Sequence, residues 1–244
     1  MTKIEWCDAT INPLGHWCFG PGGTKEDPKP CVYCYAKRIA RRGMNGCEKC
    51  QSFNVPHTHF EQLDKLTAWK KPKNIFVQSM GDLFHNDVPD EWIETVFKAC
   101  EKTPHHRYLF LTKNPERYIE LNKKGLLPSY PNFWFGTSTV TEESRYWWSK
   151  EHNFFVSIEP IMGEFTGSCT EVQENVGGAP LYLHWVIVGS ESGNRKGKVI
   201  PKREWIENIV NECRRSKVPV FLKNSLASIY GEPLIQEYPW EVKR

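Results

Sequence analysis

The chain has 244 residues, of which 39% are apolar, 25% charged and 13% aromatic, a balance that excludes fibrous and wholly disordered classes and gives room for a substantial α/β core. Lys and Arg number 32 against 29 Asp and Glu, a formal charge of +3 that is too slight to announce a nucleic-acid binder by itself. No stretch approaches the ~18 apolar residues of a membrane helix, and the opening Met1-Thr2-Lys3-Ile4-Glu5-Trp6 lacks the apolar run of a signal peptide, so one cytoplasmic domain, residues 1–244, is expected, with no membrane partner.

In chain order, Ala9 to Leu14 is expected as a first strand and Tyr35 to Arg42 as a first helix. Between them Pro13, Gly15, Gly20, Pro21, Gly22, Gly23, Pro28 and Pro30 interrupt regular structure up to Cys31. Residues 15–60 thus form a cysteine-rich loop and cap. In βα barrels, loops that follow strands lie at the carboxyl face where sites are built. From residue 75 the expected strands are Ile75 to Met80, Tyr108 to Lys113, Phe133 to Thr139, Phe154 to Glu159, Trp185 to Gly189 and Val218 to Lys223. Their starts are 33, 25, 21, 31 and 33 residues apart, the period of βα units on a mainly parallel sheet.

Asp90 to Thr103 has Trp92, Ile93, Val96, Phe97 and Cys100 at helical spacing. A second helix is expected after Asn114-Pro115, with Asn114 as its cap and Gly125 as its stop. A third runs from Lys202 to Lys217, with Trp205, Ile206, Ile209 and Cys213 on one face. Cys100 and Cys213 therefore belong to the core. Gly163 to Pro180 is a polar insertion, and its Cys169 has no assigned role.

Six of the nine cysteines (Cys7, Cys18, Cys31, Cys34, Cys47 and Cys50) fall in the first fifty residues, and without an export signal a metal outranks a disulfide framework. Cys18, Cys31 and Cys34 form Cys-x12-Cys-x2-Cys. Thiolates select iron–sulfur clusters or zinc, and a closed site of either kind takes four ligands; three on a [4Fe-4S] cluster leave one iron open. Cys47-x2-Cys50 followed by His57 and His59 fits a small zinc site, although His-x-His is tighter than the usual His-x3-5-His. The alternatives for that pair are a second cluster, with Cys7 or a distant cysteine helping, and a free reduced pair.

Lys3-Ile4-Glu5-Trp6, Asn12-Pro13, Cys18 and above all Cys31-Val32-Tyr33-Cys34-Tyr35-Ala36 resemble the start of a phage and prophage family of radical-SAM-like proteins with no settled substrate. The resemblance continues through 76–85, 111–117, 157–160 and 185–193, and His59, ahead of Glu61 and Leu63, matches a histidine of that family. The resemblance extends, distantly, to spore photoproduct lyase. The resemblance implies a partial (β/α) TIM-like barrel of the radical SAM type, with a [4Fe-4S] cluster on Cys18, Cys31 and Cys34 and S-adenosylmethionine (SAM) on the open iron. An electron from a ferredoxin- or flavodoxin-type donor would cleave SAM to a 5′-deoxyadenosyl radical, so the cofactor supplies the difficult chemistry. Commoner relatives place three residues between the first two cysteines, against twelve here.

On the same resemblance SAM contacts fall to Ser79, Gly81 and Asp82 after the second strand, Thr137, Ser138 and Thr139 on the fourth, Ser157 and Glu159 on the fifth, and Gly189 and Glu191 on the strand that flanks adenine. Each also has the plainer reading of a cap or turn. Lys113 and Lys223 close strands, with Arg117 and Lys202 just beyond strand ends; a basic mouth would suit a phosphate-bearing or nucleic-acid substrate. Trp17 and the Trp147-Trp148 pair near Arg145 could stack on bases. Two other classes compete: a zinc-stabilised nucleic-acid-binding protein without catalysis, and an electron-transfer protein whose cluster has four protein ligands.

Overall fold

Strands buried on both faces are apolar along their whole length, the condition for parallel pairing under helices; Ile75, Phe76 and Val77, and again Tyr108, Leu109 and Phe110, are all buried. The computed structural model describes residues 4–43, 47–142, 147–166, 169–172 and 181–241, which divide into two units, Met1–Phe135 and Gly136–Arg244.

The first unit contains β1 (Ala9–Ile11), α1 (Tyr35–Ala40), α2 (Glu48–Ser52), a 3-10 turn at Phe60–Leu63, α3 (Asp64–Ala68), β2 (Asn74–Val77), α4 (Asp90–Glu101), β3 (Arg107–Thr112), α5 (Glu116–Lys123) and the start of β4 (Phe133–Thr139). β1 and β2 are parallel with Ala9 opposite Ile75, and β2 and β3 with Asn74 opposite Arg107. Its core is aromatic: Phe110 stacks on Phe135 at 5.3 Å, and Phe97 meets Phe110 edge-on at 5.2 Å.

The second unit contains β5 (Asn153–Ile158), β6 (Glu171–Val172), β7 (Leu181–Tyr182), β8 (Val186–Val188), α6 (Arg203–Ser216), β9 (Val220–Leu222) and α7 (Ala227–Tyr230). Val156, Val186 and Val220 stand opposite one another in a parallel β5-β8-β9 set. A Cβ on Gly136 would lie 2.3–2.6 Å from the Phe155 ring, so the glycine on β4 makes room for that ring. The seven strands follow the order β1-β2-β3-β4-β5-β8-β9, the stepwise order of successive βα units and one compatible with a partial β/α barrel. Among the described residues no helix is long and apolar enough to cross a membrane.

All seven expected strands are present, and β4 has the expected bounds. β1 and β2 are shorter than expected because side chains take over from the ladder. Gln78 turns the chain at φ +65°, accepting from the Leu14 amide at 3.0 Å and donating to the Gly15 carbonyl at 2.7 Å. Asn12 leaves β1 to accept from the Met80 amide at 2.8 Å. Asn114 is not the cap of α5: Pro115 holds that position, while the Asn114 amide donates to the Phe84 carbonyl and to Asn86. Gly125 does end the helix at φ +69°, with Leu126 bonded back to Leu121 at 2.8 Å. Cys100 and Cys213 are fully buried, as expected.

Candidate metal centres

Both cysteine groups lie in the first unit, and each includes a cysteine that caps a short helix following a loop. Cys47 is the N-cap of α2, and its sulfur accepts from the Cys50 amide at 3.3 Å. After the helix, Phe53 takes a left-handed conformation (φ +59°) and sends the chain back toward it. His57 and His59 then arrive so that the four ligand atoms of Cys47, Cys50, His57 and His59 lie within 4.8 Å of one another. Cys50 Sγ stands 3.1 Å from His57 Nε2 and 3.4 Å from His59 Nε2, and Cys47 Sγ stands 3.6 Å from His57 Nε2. Tetrahedral zinc with Zn–S of about 2.3 Å and Zn–N of about 2.0–2.1 Å spaces sulfur and nitrogen about 3.5 Å apart.

Each imidazole is also held from behind. His57 Nδ1 meets the Val55 carbonyl at 2.7 Å and His59 Nδ1 meets Glu61 Oε1 at 2.8 Å, the outer partners that turn Nε2 toward a metal. The tight His-x-His step works because the two rings meet edge-on, 5.1 Å apart at 81°. These four residues could hold a metal such as zinc. His16 stands close by: burial, then His59 and His57, pushes its pKa down to about 4.

The long Cys18–Cys31 spacing is taken up by a closed loop. The Lys29 amide donates to the Phe19 carbonyl at 2.7 Å, so Cys18 and Cys31 stand at the two feet of one excursion. Gly20 and Gly23 permit that closure, since a Cβ would come within 1.8 Å of the Lys29 carbonyl oxygen at Gly20 and 2.2 Å of the Phe19 carbonyl oxygen at Gly23. Cys34 caps α1, its sulfur accepting from the Lys37 amide at 3.4 Å, and Cys18 accepts from the Gly20 amide at 3.3 Å. Cys18 and Cys34 pack against Ala36, Ala40, Phe53 and Met80. Burial, and after it Asp82 and the other two thiols, pushes Cys18 up to about 12. Burial raises Cys31 too, against the pull of Lys113 and Tyr33.

The loop is fastened to the exit of β2. The Tyr35 hydroxyl donates to the Ser79 carbonyl at 2.6 Å, Ser79 Oγ donates to Asn12, and a Cβ on Gly81 would lie 2.6 Å from the Trp17 carbonyl oxygen. Asp82 is fully engaged, accepting from the Phe84 amide, the Thr112 hydroxyl and the Lys113 amide at 2.8–3.0 Å. It therefore ties the ends of β2 and β3 together. The Lys113 ammonium lies 6.0 Å from the Tyr33 ring, beside Cys31.

In the second unit Glu159 and Lys223 form an ion pair. A Cβ on Gly189 would lie 2.9 Å from Lys223 Cδ and 3.4 Å from Glu159, and Ser138 Oγ donates to the Glu159 carbonyl at 3.5 Å. Ser157, two residues back on β5, is fully buried, and among the described residues its hydroxyl has no hydrogen-bond partner. Ser138, Ser157, Glu159, Gly189 and Lys223 thus gather at the carboxyl ends of β4, β5, β8 and β9. Thr137 accepts from the Trp147 amide, Thr139 donates to the Thr141 carbonyl, and the Glu191 carboxylate is held by Arg195 through two contacts of 2.7 Å.

Several candidates stand elsewhere. Arg117 is buried and bound to Asp90, Glu120 and the Val88 carbonyl. Cys7 is buried and donates to the Ile4 carbonyl, Cys169 is buried in contact with Cys213, and Trp17 and Trp147 are buried. Arg145 lies outside the described residues. Asn12 and Gln78, which tie the segment after β1 to the exit of β2, are marked in the sequence only as members of the resembled segments, and His16, beside His57 and His59, is not marked at all.

No curated protein and no solved structure matches the chain. The family described as "Protein of unknown function (DUF5131)" matches residues 1–229, and the chain belongs to that family.

Proposed function

We propose that the protein is a radical SAM enzyme. The observation that carries the reading is the closure of the loop between Phe19 and Lys29, which returns the chain just after Cys18 to the chain just before Cys31, with Cys34 at the end of the next turn, its amide donating to the Cys31 carbonyl at 3.0 Å. Among the described residues the tight grouping suited to a single ion is the other one, Cys47, Cys50, His57 and His59. Thiolates on different irons of a cubane stand farther apart than ligands that share an ion, so three half-buried thiols outside that grouping are compatible with a cluster. Cys18, Cys31 and Cys34 would hold a [4Fe-4S] cluster which, with SAM, supplies reductive cleavage to a 5′-deoxyadenosyl radical.

The chain's own contribution is placement and charge. The Gly20 and Lys37 amides donate to the Cys18 and Cys34 sulfurs and stabilise thiolate charge. Met80, Phe53, Ala36 and Ala40 keep water from one side of Cys18 and Cys34, and Lys113 adds a cation at Cys31.

Metal and sulfide content of anaerobically prepared protein, with electron paramagnetic resonance of the reduced form, tests this. About four irons and four sulfides per chain, and a signal that changes on adding SAM, are expected. Zinc without sulfide after reconstitution would instead favour a zinc-stabilised nucleic-acid-binding protein, a reading that the Cys2His2 geometry alone would support. Iron and sulfide with a spectrum indifferent to SAM would favour an electron-transfer protein.

A nucleic acid is the substrate class we propose. After β8 the chain places Arg195, Lys196, Lys198, Lys202 and Arg203 within nine residues, and Lys196, Lys202 and Arg203 are exposed. Phosphate contacts of that kind set a linear dependence of log affinity on log salt. Replacing Lys196, Lys198 and Lys202 together by Gln is expected to lower the slope for oligonucleotide binding by about 0.7–0.9 per lost contact, with metal content unchanged. Fluorescence anisotropy at several salt concentrations measures it; an unchanged slope removes this loop from the interface.

A further inference from the structure

We propose that the Cys47, Cys50, His57 and His59 centre takes a structural zinc ion, and that this ion holds the arm from Asn12 to Cys18 in place, so that the three-cysteine centre assembles only on zinc-loaded protein. The zinc half stands on geometry alone; the dependence of iron on it rests on the function proposed above.

The four ligands belong to a segment with little regular structure. α2 has five residues, far below the length at which a helix is stable by itself, and the loop from Phe53 to His59 forms no regular element before the 3-10 turn. A metal joining both ends of that segment supplies the missing cross-link, since metal-binding free energy becomes folding free energy when the site does not pre-exist in the unfolded chain. Zinc suits two thiolates and two imidazoles in a closed four-ligand set.

The arm lies directly against this centre. The His59 amide donates to the Pro13 carbonyl at 2.7 Å, and Gln62 accepts from the Asn12 amide at 3.1 Å. Gly15, at φ +65°, faces the His57 ring so closely that a Cβ would lie 2.3 Å from Nε2. On its other side the arm is tied to Gln78 through Leu14 and Gly15, and to Met80 through Asn12. Cys18 follows Gly15 by three residues. A second link runs through Phe53, the residue that ends α2, which sits in the same apolar cluster as Cys18 and Cys34. The first centre therefore touches the second through two separate paths, the arm and Phe53.

The dependence is directional, and two variants read it. Cys50→Ala is expected to lose its zinc and to take up at least about five-fold less iron on anaerobic reconstitution, whereas Cys34→Ala should lose iron and keep about one zinc per chain. A Cys50→Ala protein without zinc but with full iron would overturn the dependence, and Cys34→Ala losing both metals would overturn the order. Wild-type protein with iron instead of zinc at these ligands would overturn the zinc assignment. Because Cys50→Ala could fail to fold, the wild-type protein is also stripped by a chelator and its amide hydrogen exchange compared before and after zinc is returned. Protection at Leu14 and Gly15 should fall on stripping and recover with zinc; protection indifferent to zinc would sink the proposal. That measurement needs no iron, so a chain that binds zinc and orders the arm but never accepts iron and sulfide would defeat the proposed enzyme function while leaving the zinc anchor standing.

Discussion

Replacing Cys31 by alanine is expected to take iron and sulfide from about four of each per chain to less than about a tenth of that, and to abolish any 5′-deoxyadenosine produced from SAM. On the proposed ligand set the loss should be complete, because three protein thiolates would serve the cluster and Asp82, the acid that acts on Cys18, cannot stand in for one. Asp82 is spent on the Phe84, Thr112 and Lys113 donors. Cys34 should behave alike, with one complication: its sulfur also caps α1, and losing a cap costs about 1 kcal/mol. Cys34→Ser, which keeps a cap acceptor but offers a harder oxygen in place of the soft sulfur, separates the two roles. It should hold α1 and still lose iron. Cys100, fully buried in α4, provides the opposite control, since Cys100→Ala should lower stability and leave the iron content alone. Iron, sulfide and zinc assays on the same preparations check all three variants, and full iron in Cys31→Ala would refute the ligand assignment.

The parallel strands were legible because each is buried on both faces, so β2, β3, β5, β8 and β9 show as short unbroken apolar runs between helical stretches. Their ends were not legible, because Gln78 and Asn12 leave the strands to hold the arm and the β2 exit, and a polar residue at a strand end looks the same whatever it bonds. α2 and α3 have five residues each, too few to display a helical period. The ligands of the Cys2His2 centre could be picked out by residue type and spacing, with a His-x-His step tighter than usual; only the edge-on packing of the two rings shows that both Nε2 atoms can face inward. In the loop from Phe19 to Lys29 the glycines and prolines announced irregular backbone. That it closes on itself is a matter of long-range hydrogen bonding, which composition does not encode. Charge was the least legible property. Lys113, Arg117, Glu191 and Lys223 all sit near strand ends in the sequence, and nothing there distinguishes a cation at a mouth from one committed to a buried acid.

Arg117 makes that distinction measurable. Its guanidinium is 9% exposed and reaches Asp90 at 2.5 Å, Glu120 at 2.9 Å and the Val88 carbonyl at 2.9 Å, while Lys124 binds the other Asp90 oxygen at 2.7 Å. The network joins the start of α4 to α5, one helix on either side of β3 in the chain. Only the guanidinium is buried, since Asp90 and Glu120 are 28% and 54% exposed and Lys124 stays on Asp90, so deleting its charge-assisted hydrogen bonds is expected to cost about 1.5–3 kcal/mol. Arg117→Met preserves much of the apolar stem and deletes the charge. It is expected to lower the melting temperature by roughly 6 °C, at roughly 2–4 °C per kcal/mol for a chain of this size, with little change in the salt dependence of oligonucleotide binding. Lys113→Met should show the reverse. Its backbone amide, which the substitution keeps, makes the bond to Asp82, and its ammonium stands by Tyr33 and Cys31, so stability should move by no more than about 0.5 kcal/mol. Thermal unfolding of both variants decides between the roles. An Arg117→Met protein that melts like the wild type but binds oligonucleotides more weakly would return Arg117 to the substrate mouth, and the Asp90 network would then be a surface ion pair of little energetic weight.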